Sequence, residues 1–235
     1  MNKNNTFSKL FLIEVLYEKF ESIVMTHHPI LEACVETIAE CIHALNQGAD
    51  QLEVCSHMNL DGLTPDAAFV QQIIEEIKLP VKVMIRCRGG NFVYSEEEIE
   101  EMVASIKRFK AFSIHGFVFG ALSVGSKNNI TIDMSAVYRI CREAAPFPVT
   151  MHKAIDSCHN ITDEVAKLKS VSNIRFILSS GGQATASAGS EMLIKMQAVA
   201  LPEIEIIAAG KITQGNLPDL FQKTHLRYYH GRSIV

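Results

Sequence analysis

The chain has 235 residues, 48% of them apolar and 20% charged, with a formal net charge of −4. That length suits one large domain, and the balance of residue types is that of a globular chain. The acidic balance and the lack of any Lys/Arg run exclude an electrostatic case for nucleic acid or for an anionic membrane surface.

Taken in chain order, residues 1–29 read as an N-terminal extension. Within it, residues 6–24 (TFSKLFLIEVLYEKFESIV) form a helix-like run with more apolar residues than one stripe needs. Glu14 interrupts the run, so it predicts neither a signal peptide nor a membrane span. Three roles stay open: covering a gap beside the first and last strands, making a homo-oligomer contact, or packing loosely. The six cysteines (34, 41, 55, 87, 141 and 158) then read as reduced thiols in a cytoplasmic protein.

Residues 30–235 carry a regular beat. β-type runs occur at LEACVE (31–36), QLEVCS (51–56), VKVMIRC (81–87), GFVFGAL (116–122), VTMHKA (149–154), FILSSG (176–181), EIIAAG (205–210) and RYYHGR (227–232). Helix signals lie between them: Thr64 before Pro65, Ser95 with Glu98 three residues on, Thr162, Thr213, and Gly48 as a helix stop. Eight such runs alternating with helices predict an α/β, TIM-barrel-like (β/α)8 domain. The last strand falls just before Val235, so the eighth helix is expected to be missing, with the N-terminal helix as an extra element.

Strand side chains alternate between the barrel interior and the helix layer. Placing Leu31, Ala33, Val35, Leu52, Val54, Val81, Val83 and Ile85 outward leaves a polar inward set. That set holds Glu32, Cys34, Glu36, Glu53, Cys55, Lys82, Met84, Arg86, Thr150, His152, Ser179 and His230, with Arg88 and Asp156 just past strand ends. Buried charges must pair or reach solvent, so Glu–Lys and Glu–Arg pairs across neighbouring strands are the structural reading of the deeper residues. Residues at the C-terminal ends of barrel strands lie on the face that carries active sites.

Two chemistries compete there. Inward thiols on adjacent strands, about 4.8 Å apart, could share one ion. Two thiolates without a third Cys or His suit copper(I) better than zinc, although buried cysteine is more often just a small apolar residue. In the enzyme reading, Arg86 and Arg88 hold a small anionic or phosphorylated substrate. Ser179, Gly181, Gly182, Gly210 and His230 complete its cradle, with backbone N–H groups of SSGG and AAGK facing the anion. His152 is then the general base, oriented by Glu53 or Asp156.

The motifs LEACVE, GADQLEVCS, DGLTP, VMIRCRGGNFVYS, GFVFGAL, PVTMHKAID, ILSSGGQ and YYHG, in this order and spacing, resemble the CutC family across residues 31–232. The resemblance implies a TIM-barrel-like fold and cytoplasmic copper handling, with Cys34 and Cys55 matching the cysteines proposed to hold copper(I). The chain departs from the family pattern at Asp61, at Cys87, in the HKAID stretch, and at Ala208 and Ala209, where the family carries glycine. These departures leave room for a third reading, a degenerate barrel acting as an interaction module.

Overall fold

A computed structural model describes residues 28–235; the helix expected over residues 6–24 lies outside the described residues. Eight parallel strands close into a barrel. They are β1 (Ile30–Val35), β2 (Gln51–Val54), β3 (Val81–Met84), β4 (Gly116–Phe119), β7 (Val149–Met151), β8 (Ile174–Ser179), β9 (Glu205–Ala209) and β10 (Tyr228–Gly231). Each of the eight expected runs contributes one of them. A strand pair not expected from sequence, β5 (Leu122–Val124) and β6 (Ile130–Ile132), forms an antiparallel hairpin outside the barrel. The run GFVFGAL is thus split, with Gly120 at the break.

Helices α1 (Ile38–Asn46), α2 (Ala67–Glu76), α3 (Glu96–Phe109), α4 (Met134–Ala144), α5 (Ile161–Leu168), α6 (Ser190–Ala200) and α7 (Leu217–Thr224) connect successive barrel strands. Among the described residues no helix follows β10. None is long and apolar enough to cross a membrane.

The capping box of Ser95 and Glu98 opens α3, as the spacing predicts. Other starts differ by a few residues. Asp66 caps α2 and Asn160 caps α5 through their side chains, while Asn216 precedes α7. Thr64, expected to cap, instead ties the loop after β2 to β3: Arg86 N–H donates to its Oγ1 (2.8 Å), and Oγ1 donates to the Arg86 carbonyl (3.0 Å).

The alternation along the strands holds. Ala33, Val35, Leu52, Val54, Val81, Val83 and Phe117 join the helices in one large outer core. The barrel interior is layered differently. Leu178, Ile207, Ala209 and Tyr228 form one inner cluster with Ile30 and Phe176 against it, and Cys34, Cys55, Met84 and Val118 form another. The charged side chains of Glu32, Glu53 and Lys82 are also buried in the barrel.

Candidate functional site

The buried charges sort themselves into one network. Register places Glu32 beside His230 on β10, and Glu53 beside Lys82 on β3. Lys82 Nζ sits 2.7 Å from Glu32 Oε2, a close ion pair without hydrogen-bond alignment, and lies 4.1 Å from the centre of the Phe176 ring. Gln51 donates to the same carboxylate at 2.7 Å. His230 bridges the two acids, Nδ1 lying 3.0 Å from Glu32 Oε1 and Nε2 3.1 Å from Glu53 Oε2.

These contacts set the charge states. Burial alone would raise Glu32, but Lys82 and His230 outweigh it and hold the carboxyl at about 2. Glu53 moves the other way, to about 8, because burial dominates and the neighbouring Cys34 and Glu32 charges add to it against His230 and Lys82. Burial would lower His230, yet Glu53, Cys34 and Glu32 together raise it well above the ordinary histidine range. Glu32, Glu53 and His230 thus titrate as one linked group, in which Glu32 is held ionised and His230 is held protonated by the acids around it.

Above this layer are the sulfurs. Register pairs Cys34 with Glu53, so Cys55 stands two residues further along β2 rather than level with Cys34. The thiols meet diagonally, Sγ to Sγ 3.8 Å. Cys34 Sγ is also 3.7 Å from Met58 Sδ. Met58 opens a short 3-10 turn (Met58–Leu60), and its N–H donates to Glu36 Oε2 at 2.9 Å. Glu36, expected inside the barrel, lies at the rim, where it also accepts from Arg232. Gly62 packs over the sulfurs with φ +84°; a Cβ there would lie 3.3 Å from Cys55 Sγ and 3.6 Å from Met58 Sδ.

One hydrogen bond couples the two thiols. The Cys55 hydrogen bond, helped by His230 against the cost of burial, holds Cys34 down to about 5. The same bond, burial and the Glu53 carboxyl push Cys55 well above its ordinary value. Cys34 is the thiolate at neutral pH.

A cavity of about 470 Å³ opens at the C-terminal ends of the strands. Cys34, Glu53, Cys55, Met58 and His230 line one part, and Arg86, Phe92, His152, Asp156, Ser180 and Gly182 also face it. Several residues expected at the anion cradle behave differently. Arg88 turns out of the mouth: β3 ends at Met84, so the alternation no longer governs residue 88, and its guanidinium pairs with Glu98 and donates to the Asn91 and Val93 carbonyls. Arg86 points in but meets no glutamate. It donates to the carbonyls of Leu60, Asp61, Gly62 and Gly90 at 2.9–3.2 Å, and its guanidinium lies 4.7 Å from the Phe92 ring centre.

The SSGG loop is already filled. Asp156 accepts from Ser179 Oγ, from Ser180 N (2.9 Å) and Oγ (2.8 Å), and from Gly182 N (3.0 Å). Gly181 N donates to Ser179 Oγ, and Gly210 packs against Ser180 while its carbonyl accepts from Ala186 N. An internal carboxylate therefore stands where a bound anion was expected, and it engages the loop rather than His152. Ser179, Gly181 and Gly210 are not among the cavity-lining residues.

His152 is buried after β7. The Ala154 N–H donates to its Nδ1 at 3.1 Å, which places the ring proton on Nε2. Burial and then the Arg86 charge lower its pKa to about 3. The imidazole is a neutral donor whose remaining lone pair is occupied, a poor arrangement for a general base. Gly120 makes room for it, since a Cβ there would lie 2.5 Å from the ring.

Met58, Phe92 and Gln183 line the cavity without being among the site residues expected from sequence, whereas Ser180 belongs to the SSGG loop expected there. Only Met58 had a hint, a third sulfur three residues past Cys55.

A closed parallel barrel with a polar, sulfur-bearing pocket at the C-terminal ends of its strands defines a TIM-barrel-type protein. Residues 29–235 match the CutC family. The human copper homeostasis protein cutC homolog is 34% identical over 203 residues, covering 86% of this chain and 72% of that protein. A family protein CutC from Aliivibrio fischeri is 33% identical over 202 residues, covering 85% and 80%. A crystal structure of CutC from Streptococcus agalactiae superposes with a TM-score of 0.81 at 25% identity, over 88% of this chain and 100% of that one. The chain belongs to the CutC family.

Proposed function

We propose that the protein binds copper(I) at the barrel mouth through Cys34 and Cys55, with the Met58 thioether as third donor, and takes part in cytoplasmic copper handling. The observation that carries this reading is the sulfur triad, with Cys34 Sγ 3.8 Å from one sulfur and 3.7 Å from the other. Metal–sulfur bonds of about 2.3 Å place the sulfurs of a three- or four-coordinate site about 3.8 to 4.0 Å apart. Both separations from Cys34 already match that spacing. Thiolates with a thioether are soft donors that select copper(I) over harder ions. Glu53 lies close enough to both thiols to complete a ligand group, but a carboxyl oxygen is a hard donor and a weak competitor for a soft ion. Two thiolates and copper(I) carry one net negative charge, which the adjacent His230 imidazolium offsets. The human and Caenorhabditis elegans relatives, both copper homeostasis protein cutC homologs, point the same way.

Anaerobic copper(I) titration against a competing chelator tests the reading. Wild type is expected to bind one equivalent, Cys34→Ser and Cys55→Ser to lose it, and Met58→Leu to bind more weakly. Equal affinity in wild type and Cys34→Ser/Cys55→Ser refutes the site.

A further inference from the structure

The copper reading uses only the sulfur side of a cavity of about 470 Å³, far more space than one ion needs and within the range of small-molecule pockets. Two buried groups on that cavity are left over. Arg86 is 2% exposed, and among the described residues no carboxylate forms an ion pair with it; its partners are backbone carbonyls, and its Nε has no acceptor. His152 is 5% exposed, and its Nε2, which bears the ring proton, has no acceptor either. Both flank one ring: the Phe92 centre is 4.7 Å from the Arg86 guanidinium carbon and 4.9 Å from the His152 ring centre.

A buried cation without a counter-ion and a buried donor without an acceptor are each costly. Both residues line the cavity, with Arg86 Nε and His152 Nε2 lying just beneath its wall, so a ligand that brings a negative charge and an acceptor oxygen meets them after a local side-chain shift. We infer that this part of the cavity receives the carboxylate of a small organic acid, one oxygen accepting from His152 Nε2 and the charge answering Arg86.

A carboxylate fits better than a phosphate. Phosphate sites in barrels of this kind use loop N–H groups near the ends of the later strands. Here the Ser180 and Gly182 N–H groups are committed to Asp156, and Arg86 has already given both terminal nitrogens to carbonyls. One neutral donor and one cation match a monoanionic, planar head group. The Phe92 ring gives that plane an apolar wall.

The test uses the metal-free protein, with acetate, succinate and inorganic phosphate as probes at matched ionic strength and pH 7.5. The readouts are thermal stability and the His152 Nε2–H resonance. Saturable shifts of both by acetate or succinate, with phosphate at least tenfold weaker, support the site. His152→Leu should weaken carboxylate binding roughly tenfold or more, the effect of losing one hydrogen bond to a charged group. Cys34→Ser/Cys55→Ser should bind the carboxylate as wild type does, which separates this site from the copper reading. No shift with either carboxylate, phosphate as effective as they are, or unchanged binding in His152→Leu overturns the inference. Following the resonance in wild type keeps the test decisive if His152→Leu folds poorly.

Discussion

Acidification should destabilise this protein through His152, and the size of the effect follows from its burial. The ring sits at about 3 in the fold against 6.5 for the free side chain. Between those values the unfolded chain binds a proton that the folded chain refuses, so stability falls as pH drops through 6.5 and levels off near 3. At pH 7.5 the residue contributes no pH dependence. At pH 5.0, about 1.5 pH units below the unfolded value, the loss is about 2 kcal/mol, and over the full window it approaches about 5 kcal/mol. Other groups titrate in the same range. Glu53, raised in the fold, opposes the trend by stabilising the fold as pH falls from about 8 towards 4.5. The informative quantity is therefore the difference between wild type and His152→Gln, which keeps an acceptor for the Ala154 N–H and a donor toward the cavity but does not titrate. Urea unfolding of both proteins at pH 7.5, 6.0 and 5.0 should show the gap shift in favour of the variant by about 2 kcal/mol between the first and last. Parallel pH dependences would refute the neutral, proton-refusing imidazole.

Three further substitutions probe the surrounding network. Lys82→Met removes the ammonium 2.7 Å from the fully buried Glu32 and should cost about 3 to 5 kcal/mol in urea unfolding at pH 7; a loss under about 1 kcal/mol would show that His230 and Gln51 together satisfy the acid. Gly62→Ala puts a Cβ at positive φ, 3.3 Å from Cys55 Sγ, and should lower stability by about 1 kcal/mol or more and weaken copper(I) binding; wild-type values for both would mean the loop yields freely. Asp156→Ala leaves the Ser180 and Gly182 N–H groups without their acceptor and should cost about 2 to 3 kcal/mol by thermal or urea unfolding, whereas a neutral effect would show that solvent replaces the carboxylate.

Much of the barrel was legible because its signal is local. Outward apolar residues at every second position in LEACVE, QLEV and VKVM fix which side chains face inward, and inward glutamate and cysteine followed directly. The rule stops where the pleat stops. Arg86 and Arg88 have the same parity, but β3 ends at Met84, and the loop carries Arg88 away to Glu98. The diagonal meeting of the thiols depends on strand shear, which sequence spacing does not encode. Met58 reaches them from a 3-10 turn entered through His57 at φ 51°, a backbone state without periodicity to read. The occupation of the SSGG loop by Asp156 joins residues 24 and 26 positions apart, so the glycines looked like an empty cradle until the fold closed.

The most direct test of the copper site is copper K-edge X-ray absorption on the protein loaded anaerobically with one equivalent of copper(I). Three sulfur scatterers at about 2.3 Å, falling to two in Met58→Leu, are the predicted result. A first shell of nitrogen or oxygen atoms, or a sulfur shell unaltered in Cys34→Ser/Cys55→Ser, would contradict it.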